Sequence, residues 1–186
     1  MIKKAIVIFI FIFTLFINPA QSDEDTMILK LKTGNVIIEL FNDTAPNHVK
    51  RFKQLAIEKK YDGVVFHRVI DGFMAQTGDV KFGNSNLETY NIKKAGTGGS
   101  EYPDLKAEFS DIPHERGTLS MARSADPNSA NSQFFICFKA ASHLDRQYTV
   151  FGKVVKGMEF VDLIKRGEGS NGEVSDPDKI ISLLAK

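Results

Sequence analysis

The chain has 186 residues, of which 42% are hydrophobic and 25% charged, with a formal net charge of +1. That fits one compact domain and excludes a disordered tail protein or two large domains. With 24 Lys+Arg against 23 Asp+Glu there is no basic excess to neutralise phosphates, so nucleic acid is not an expected partner. The 14 Gly and 6 Pro follow no short repeat, which removes collagen and solenoid readings.

The N-terminus reads as an export signal. Lys3 and Lys4 precede 13 uncharged residues from Ala5 to Ile17, followed by Pro19, Ala20 and Ser22. Small residues at Ala20 and Ser22 place cleavage after Ser22, giving a signal peptide over 1–22 and a single domain over 23–186. The competing reading is an uncleaved anchor. Thirteen residues rise only about 20 Å as a helix, short of the roughly 30 Å hydrocarbon core. No stable membrane insertion is therefore expected after cleavage. The sole cysteine, Cys137, lies in the apolar run 134–138, far from the cleavage site, and reads as a buried structural thiol.

The mature chain alternates with a short period. Met27 to Lys32 and Asn35 to Phe41 flank Thr33-Gly34 and predict a hairpin. A helix follows, with Asp43 or Thr44 as cap, Pro46 in the first turn, Val49, Phe52, Leu55 and Ala56 on the buried face, and Lys59 and Lys60 at its negative end. Strands are expected at 64–70, 73–76, 118–123, 133–138, 149–155 and 179–184. A short second helix falls between Val155 and Gly167, with Val161 and Ile164 on one face. Residues 80–101, rich in Gly, Asn and Ser, read as a long surface loop. Many short strands and two isolated helices suggest a closed or nearly closed antiparallel barrel.

Conventional chemistry is sparse. His48, His67, His114 and His143 lack the spacing of a zinc site. Gly96 to Gly99 lacks the ending of a phosphate loop, and Ser120, Ser124 and Ser132 lack the context of a nucleophile turn. Asp126-Pro127-Asn128 reads as a tight turn. What stands out is a long cation and an amide interrupting apolar strands, at Arg68 and Gln76.

The stretch Phe66-His67-Arg68-Val69-Ile70-x-Gly72-Phe73-Met74-x-Gln76-x-Gly78-Asp79 resembles the signature of the cyclophilin family of peptidyl-prolyl isomerases. Further blocks follow in that family's order: Gly96-Thr97-Gly98-Gly99, Leu119-Ser120-Met121-Ala122, Asn131-Ser132-Gln133-Phe134-Phe135-Ile136, and Leu144-Asp145 leading to 150–154. The resemblance implies a mainly β fold, an eight-stranded antiparallel barrel capped by two α-helices. It implies Arg68 and Gln76 as catalytic residues, and Phe73, Met74, Phe135 and Leu144 as walls of a proline pocket. Ala122 and Arg123 fall where the family holds the substrate backbone, and His67 is expected to face inward as a support.

His143 stands where well-known eukaryotic members have tryptophan, and Tyr148 where they have histidine; both are expected beside the pocket. The family works without metal or cofactor. The implied partners are proline-containing polypeptides, with weak binding of cyclosporin because of His143. A monomer in the periplasm is expected, acting as an isomerase that stabilises a transition state through Arg68. The alternative is a holdase using the same groove without turnover.

Overall fold

The computed structural model describes residues 25–186, so the expected signal peptide over 1–22 lies outside the described residues. The hairpin opens the fold as predicted: β1 (Thr26–Leu31) pairs with β2 (Gly34–Leu40), Leu31 opposite Gly34. Along β2, Val36, Ile38 and Leu40 turn inward at every second position, the period that puts one strand face in a core. The remaining strands are β3 (Arg68–Ile70), β4 (Met74–Thr77), β5 (Thr118–Met121), β6 (Phe134–Cys137), β7 (Val150–Lys156) and β8 (Ser182–Ala185). All pairings are antiparallel, in the order β3-β4-β6-β5-β7-β2-β1-β8.

The sheet curls into a barrel whose two edge strands are joined by irregular backbone bonds. Phe66 N–H donates to Asp178 O (2.8 Å), Ile180 N–H to Val64 O (2.9 Å) and Val69 N–H to Gly172 O (2.7 Å). This explains a departure from the predicted strand at 64–70. Only its last three residues join the ladder, because the first half bridges to the long loop at Asn84 and to the segment before β8 at Lys179.

Helix α1 (Pro46–Ile57) covers one end of the barrel with Val49, Phe52, Leu55 and Ala56 buried. Its cap differs from expectation. The N-cap is Ala45, not Asp43 or Thr44, and it makes no side-chain bond. Instead Glu108 reaches in from a distant loop and accepts from the backbone N–H groups of Asn47 and His48 (both 3.2 Å) and from His48 Nδ1 (2.6 Å). A carboxylate at this point satisfies orphan donors and complements the helix dipole. The second helix, α2 (Met158–Val161), is a single turn, yet Val161 and Ile164 are both buried as the spacing predicts. No helix among the described residues is long and apolar enough to cross a membrane.

The long loop is organised by one buried residue. Asp79 accepts from the N–H groups of Lys81 (3.0 Å), Phe82 (2.9 Å), Gly96 (2.8 Å) and Gly98 (2.8 Å). The glycine-rich turn thus spends amides on an internal carboxylate. A side chain could not replace Gly96, since its φ is +98° and an added Cβ would lie 2.9 Å from the His67 ring.

Candidate active site

The register of the sheet assembles the site. Arg68 on β3 lies opposite Gln76 on β4, and Gln76 lies opposite Phe135 on β6, so three strands contribute one residue each to a row. Because strand side chains alternate, Met74, Phe135 and Cys137 share that outward face while Ala75, Phe134 and Ile136 face the barrel interior.

The polar half of the row is a directed chain of hydrogen bonds. Arg68 Nε donates to Asn171 O (3.0 Å) and Arg68 Nη1 to Gln76 Oε1 (3.2 Å). Gln76 Nε2 donates to Gln133 Oε1 (3.0 Å), and Gln133 Nε2 to Gly98 O (2.7 Å). Starting from a guanidinium, which can only donate, the sequence of donors and acceptors fixes the orientation of both amides. Partial burial draws the Arg68 pKa down and nearby Tyr148 opposes this; the group stays a cation at neutral pH.

The apolar half is a cluster of Met74, Phe135 and Leu144, with Phe73, Ala122 and Tyr148 packed against it. Arg68 Nη1 sits 3.9 Å from Met74 Sδ, so the cation borders this cluster. Leu144 and exposed His143 come from a 3-10 turn (Ser142–Leu144), and the His143 ring lies 5.4 Å from that of Phe73. Tyr148 meets Phe135 edge-on at 6.0 Å. Two cavities meet at Gln76, Gly96 and Thr97: one of about 770 Å³ that also includes His67 and Arg68, one of about 490 Å³ that also includes Ala122 and Arg123.

All ten expected site residues gather on this face. Ala122 lines it, with its N–H engaged to Gln133 O (2.9 Å). Arg123 acts through its side chain as well, stacking 4.3 Å over the Tyr148 ring and donating to Gln147 O (2.9 Å), which ties two rims together. His67, expected to face inward, instead packs its ring against Gly96 at the wall of the cavity that Arg68 also lines; it is 7% exposed, and burial pulls its pKa down to about 4. Burial also holds the Cys137 thiol up at about 12, far from a reactive thiolate.

A family model for cyclophilin type peptidyl-prolyl cis-trans isomerase/CLD matches residues 26–184. The chain belongs to that family. It is 60% identical over 163 residues to a probable peptidyl-prolyl cis-trans isomerase of Brucella suis, covering 87% of this chain and 83% of that one. The Acinetobacter baylyi peptidyl-prolyl cis-trans isomerase is 40% identical over 179 residues, with 90% and 89% covered. Among solved structures, a Cryptosporidium parvum cyclophilin type isomerase, crystallised in the presence of the dipeptide Ala-Pro, superposes with a TM-score of 0.74 at 26% identity, covering 87% of this chain and 98% of that one. A cyclophilin from Hirschia baltica gives 0.72 at 25% identity, with 88% and 74% covered.

In this cyclophilin-type isomerase the polar row also includes Gln133 and the Asn171 carbonyl, which the sequence leaves unassigned. Gln133 was visible as a polar residue leading into an apolar strand. The Asn171 carbonyl that holds Arg68 carries no sequence signal, because any residue supplies a backbone oxygen.

Proposed function

We propose that this isomerase turns over X-Pro bonds by hydrogen-bonding the prolyl nitrogen from Arg68 while the recess of Phe73, Met74, Phe135 and Leu144 holds the proline ring. Rotation about the amide has a barrier of roughly 18 to 20 kcal/mol, because the nitrogen lone pair is delocalised into the carbonyl. In the twisted transition state the nitrogen regains that lone pair, so the guanidinium bond forms there and hardly at all in either planar state. Bringing a step of tens of seconds into milliseconds requires about 10⁴-fold, or about 5 to 6 kcal/mol. A charge-assisted hydrogen bond beside an apolar recess, with the ring held in place, is of that order.

The observation that carries this reading is the placement of Arg68. Its guanidinium is oriented by the Asn171 carbonyl and the Gln76 amide at the edge of the recess. The Cryptosporidium parvum relative, crystallised with Ala-Pro, supports proline-containing peptides as the substrate class. Arg68→Ala is expected to lower kcat/KM on a short X-Pro peptide by at least about tenfold with an unchanged circular-dichroism spectrum. Parent activity in the variant overturns the role. If turnover is lost while the variant still suppresses aggregation of an unfolded client as the parent does, holding is a separate property of the groove.

The same reading assigns export to the periplasm by residues 1–22, with the mature chain starting at Asp23 and acting on exported polypeptides as a monomer. Intact-mass measurement on protein from native cells tests the start site, and Met1 retained in a membrane fraction contradicts it. Cyclosporin binds weakly in this account, since His143 offers a smaller and more strongly hydrated surface than tryptophan. His143→Trp should tighten that inhibitor about tenfold without raising kcat/KM. Tight inhibition of the parent, or no gain from tryptophan, contradicts it.

A further inference from the structure

We propose that His114 is a positioning residue for the proline recess, fixing the turn that carries Leu144 against the ring of Phe135 and so setting substrate affinity. The proposal rests on the reading of Phe135 and Leu144 as recess walls.

His114 is 1% exposed and lies on the loop before β5. Its backbone N–H donates to Asp145 Oδ1 (2.8 Å), and its carbonyl accepts from Ala141 N–H (2.8 Å). Ala141 and Asp145 bracket the turn Ser142–Leu144, so one residue pins both ends of it. The ring adds two more ties. Nδ1 meets Asp145 Oδ1 at 2.9 Å, and because a carboxylate only accepts, Nδ1 carries a proton there. Nε2 lies 3.0 Å from Ser120 Oγ, and Ser120 sits opposite Phe135 in the β5–β6 ladder. The ring plane then stacks on Phe135 at 16° with centroids 6.1 Å apart.

The Ser120-His114-Asp145 line has the atom pattern of a hydrolase triad, but it is not a nucleophile. Ser120 is fully buried, and its single hydroxyl proton has two acceptors within 3.0 Å, Thr149 O and the imidazole Nε2. What the line connects is two walls of the recess. Phe135 comes from a strand and Leu144 from a loop, with no ladder between them, and His114 bonds or stacks to both supports. A network with these partners satisfied is rigid. The recess grips the proline ring in the planar states and in the twisted state alike, so loosening its walls removes uniform binding and appears in KM.

The test uses Asp145→Ala, which removes the acceptor from a partly exposed position and leaves the imidazole in place, alongside His114→Phe, which keeps a ring on Phe135 but loses both side-chain hydrogen bonds. Both are expected to raise KM for a short Ala-Pro peptide about fivefold with kcat held within about twofold. The methyl-to-ring contact of Leu144 with Phe135 should weaken in NMR spectra of the unliganded variants. Asp145→Asn, whose amide oxygen still accepts both His114 bonds, should restore KM. Lowered stability with native KM and an intact Leu144–Phe135 contact overturns the proposal, as does a loss confined to kcat. Phe135→Ala separates the two readings: if it leaves KM unchanged, the recess assignment itself fails.

Discussion

β4 and β6 are read twice, once on each face. Inward, Phe134 meets Phe52 at 5.1 Å and Tyr61 at 5.6 Å, both edge-on, in the middle of the barrel. Outward, the very next residue, Phe135, meets Tyr148 edge-on and stacks on His114. Both side chains are almost fully buried, at 0% and 5% exposure, so burial alone does not separate them. Their neighbours do. The inner face is closed by a helix and by facing strands, whereas the outer face is closed by a turn and a polar network that leave room beside Arg68. On the proposed function, stability resides on one side of these strands and recognition on the other.

The largest expected effect strikes the inner face. Phe134→Ala should lower unfolding free energy by about 3 to 5 kcal/mol, because it leaves a cavity among rings that cannot close in on it. Denaturant titration reads this. Activity per folded molecule should stay near that of the parent.

A pH scan sharpens the contrast at adjacent residues, since His67 is buried against the Gly96 turn and Arg68 is only half-buried. Burial, partly opposed by Asp79, holds the His67 pKa near 4 against an ordinary value of 6.5. The unfolded chain therefore binds the extra proton first as pH falls. The stability that the neutral ring supports is complete above about pH 7, declines from about pH 6.5, and is fully lost below about pH 4. Between pH 7 and 5 His67 alone should account for about 2 kcal/mol. His48 and His114, also lowered by burial, add to the same trend. His67→Gln should flatten the scan over that interval; an unchanged slope contradicts the assignment.

The smallest effect concerns the amide chain. Gln76→Ala removes one anchor of Arg68 and the partner of Gln133, and should lower kcat/KM about fivefold to tenfold, or about 1 to 1.5 kcal/mol, with little change in stability. Parent kinetics in this variant would show that Asn171 alone orients the guanidinium.

Legibility in the sequence divides along similar lines. Period-two runs such as Val36, Ile38 and Leu40, and the helix spacing of Val49, Phe52 and Leu55, mark their elements because each pattern is local and repeats. Arg68 and Gln76 stand out as polar breaks in apolar runs, but their pairing and role came through the family resemblance. What stayed hidden is contact between distant polar groups. Glu108 caps a helix about 60 residues earlier, Asp79 gathers loop amides up to 19 residues later, and His114 clamps a turn about 30 residues later. No periodicity records such pairs. The strand predicted at 64–70 failed in its first half for a related reason: Val64 and Val65 have strand chemistry, but Val64 bridges Asn84 in the long loop and Val65 bridges Lys179 at the barrel's seam.

The two-faced reading is tested most directly by Phe135→Ala measured beside Phe134→Ala, with denaturant unfolding and X-Pro kinetics on the same preparations. The account predicts that Phe135→Ala raises KM about tenfold or more while costing less than half the stability lost in Phe134→Ala. Equal losses of stability in the two variants, with KM unchanged in Phe135→Ala, would contradict it.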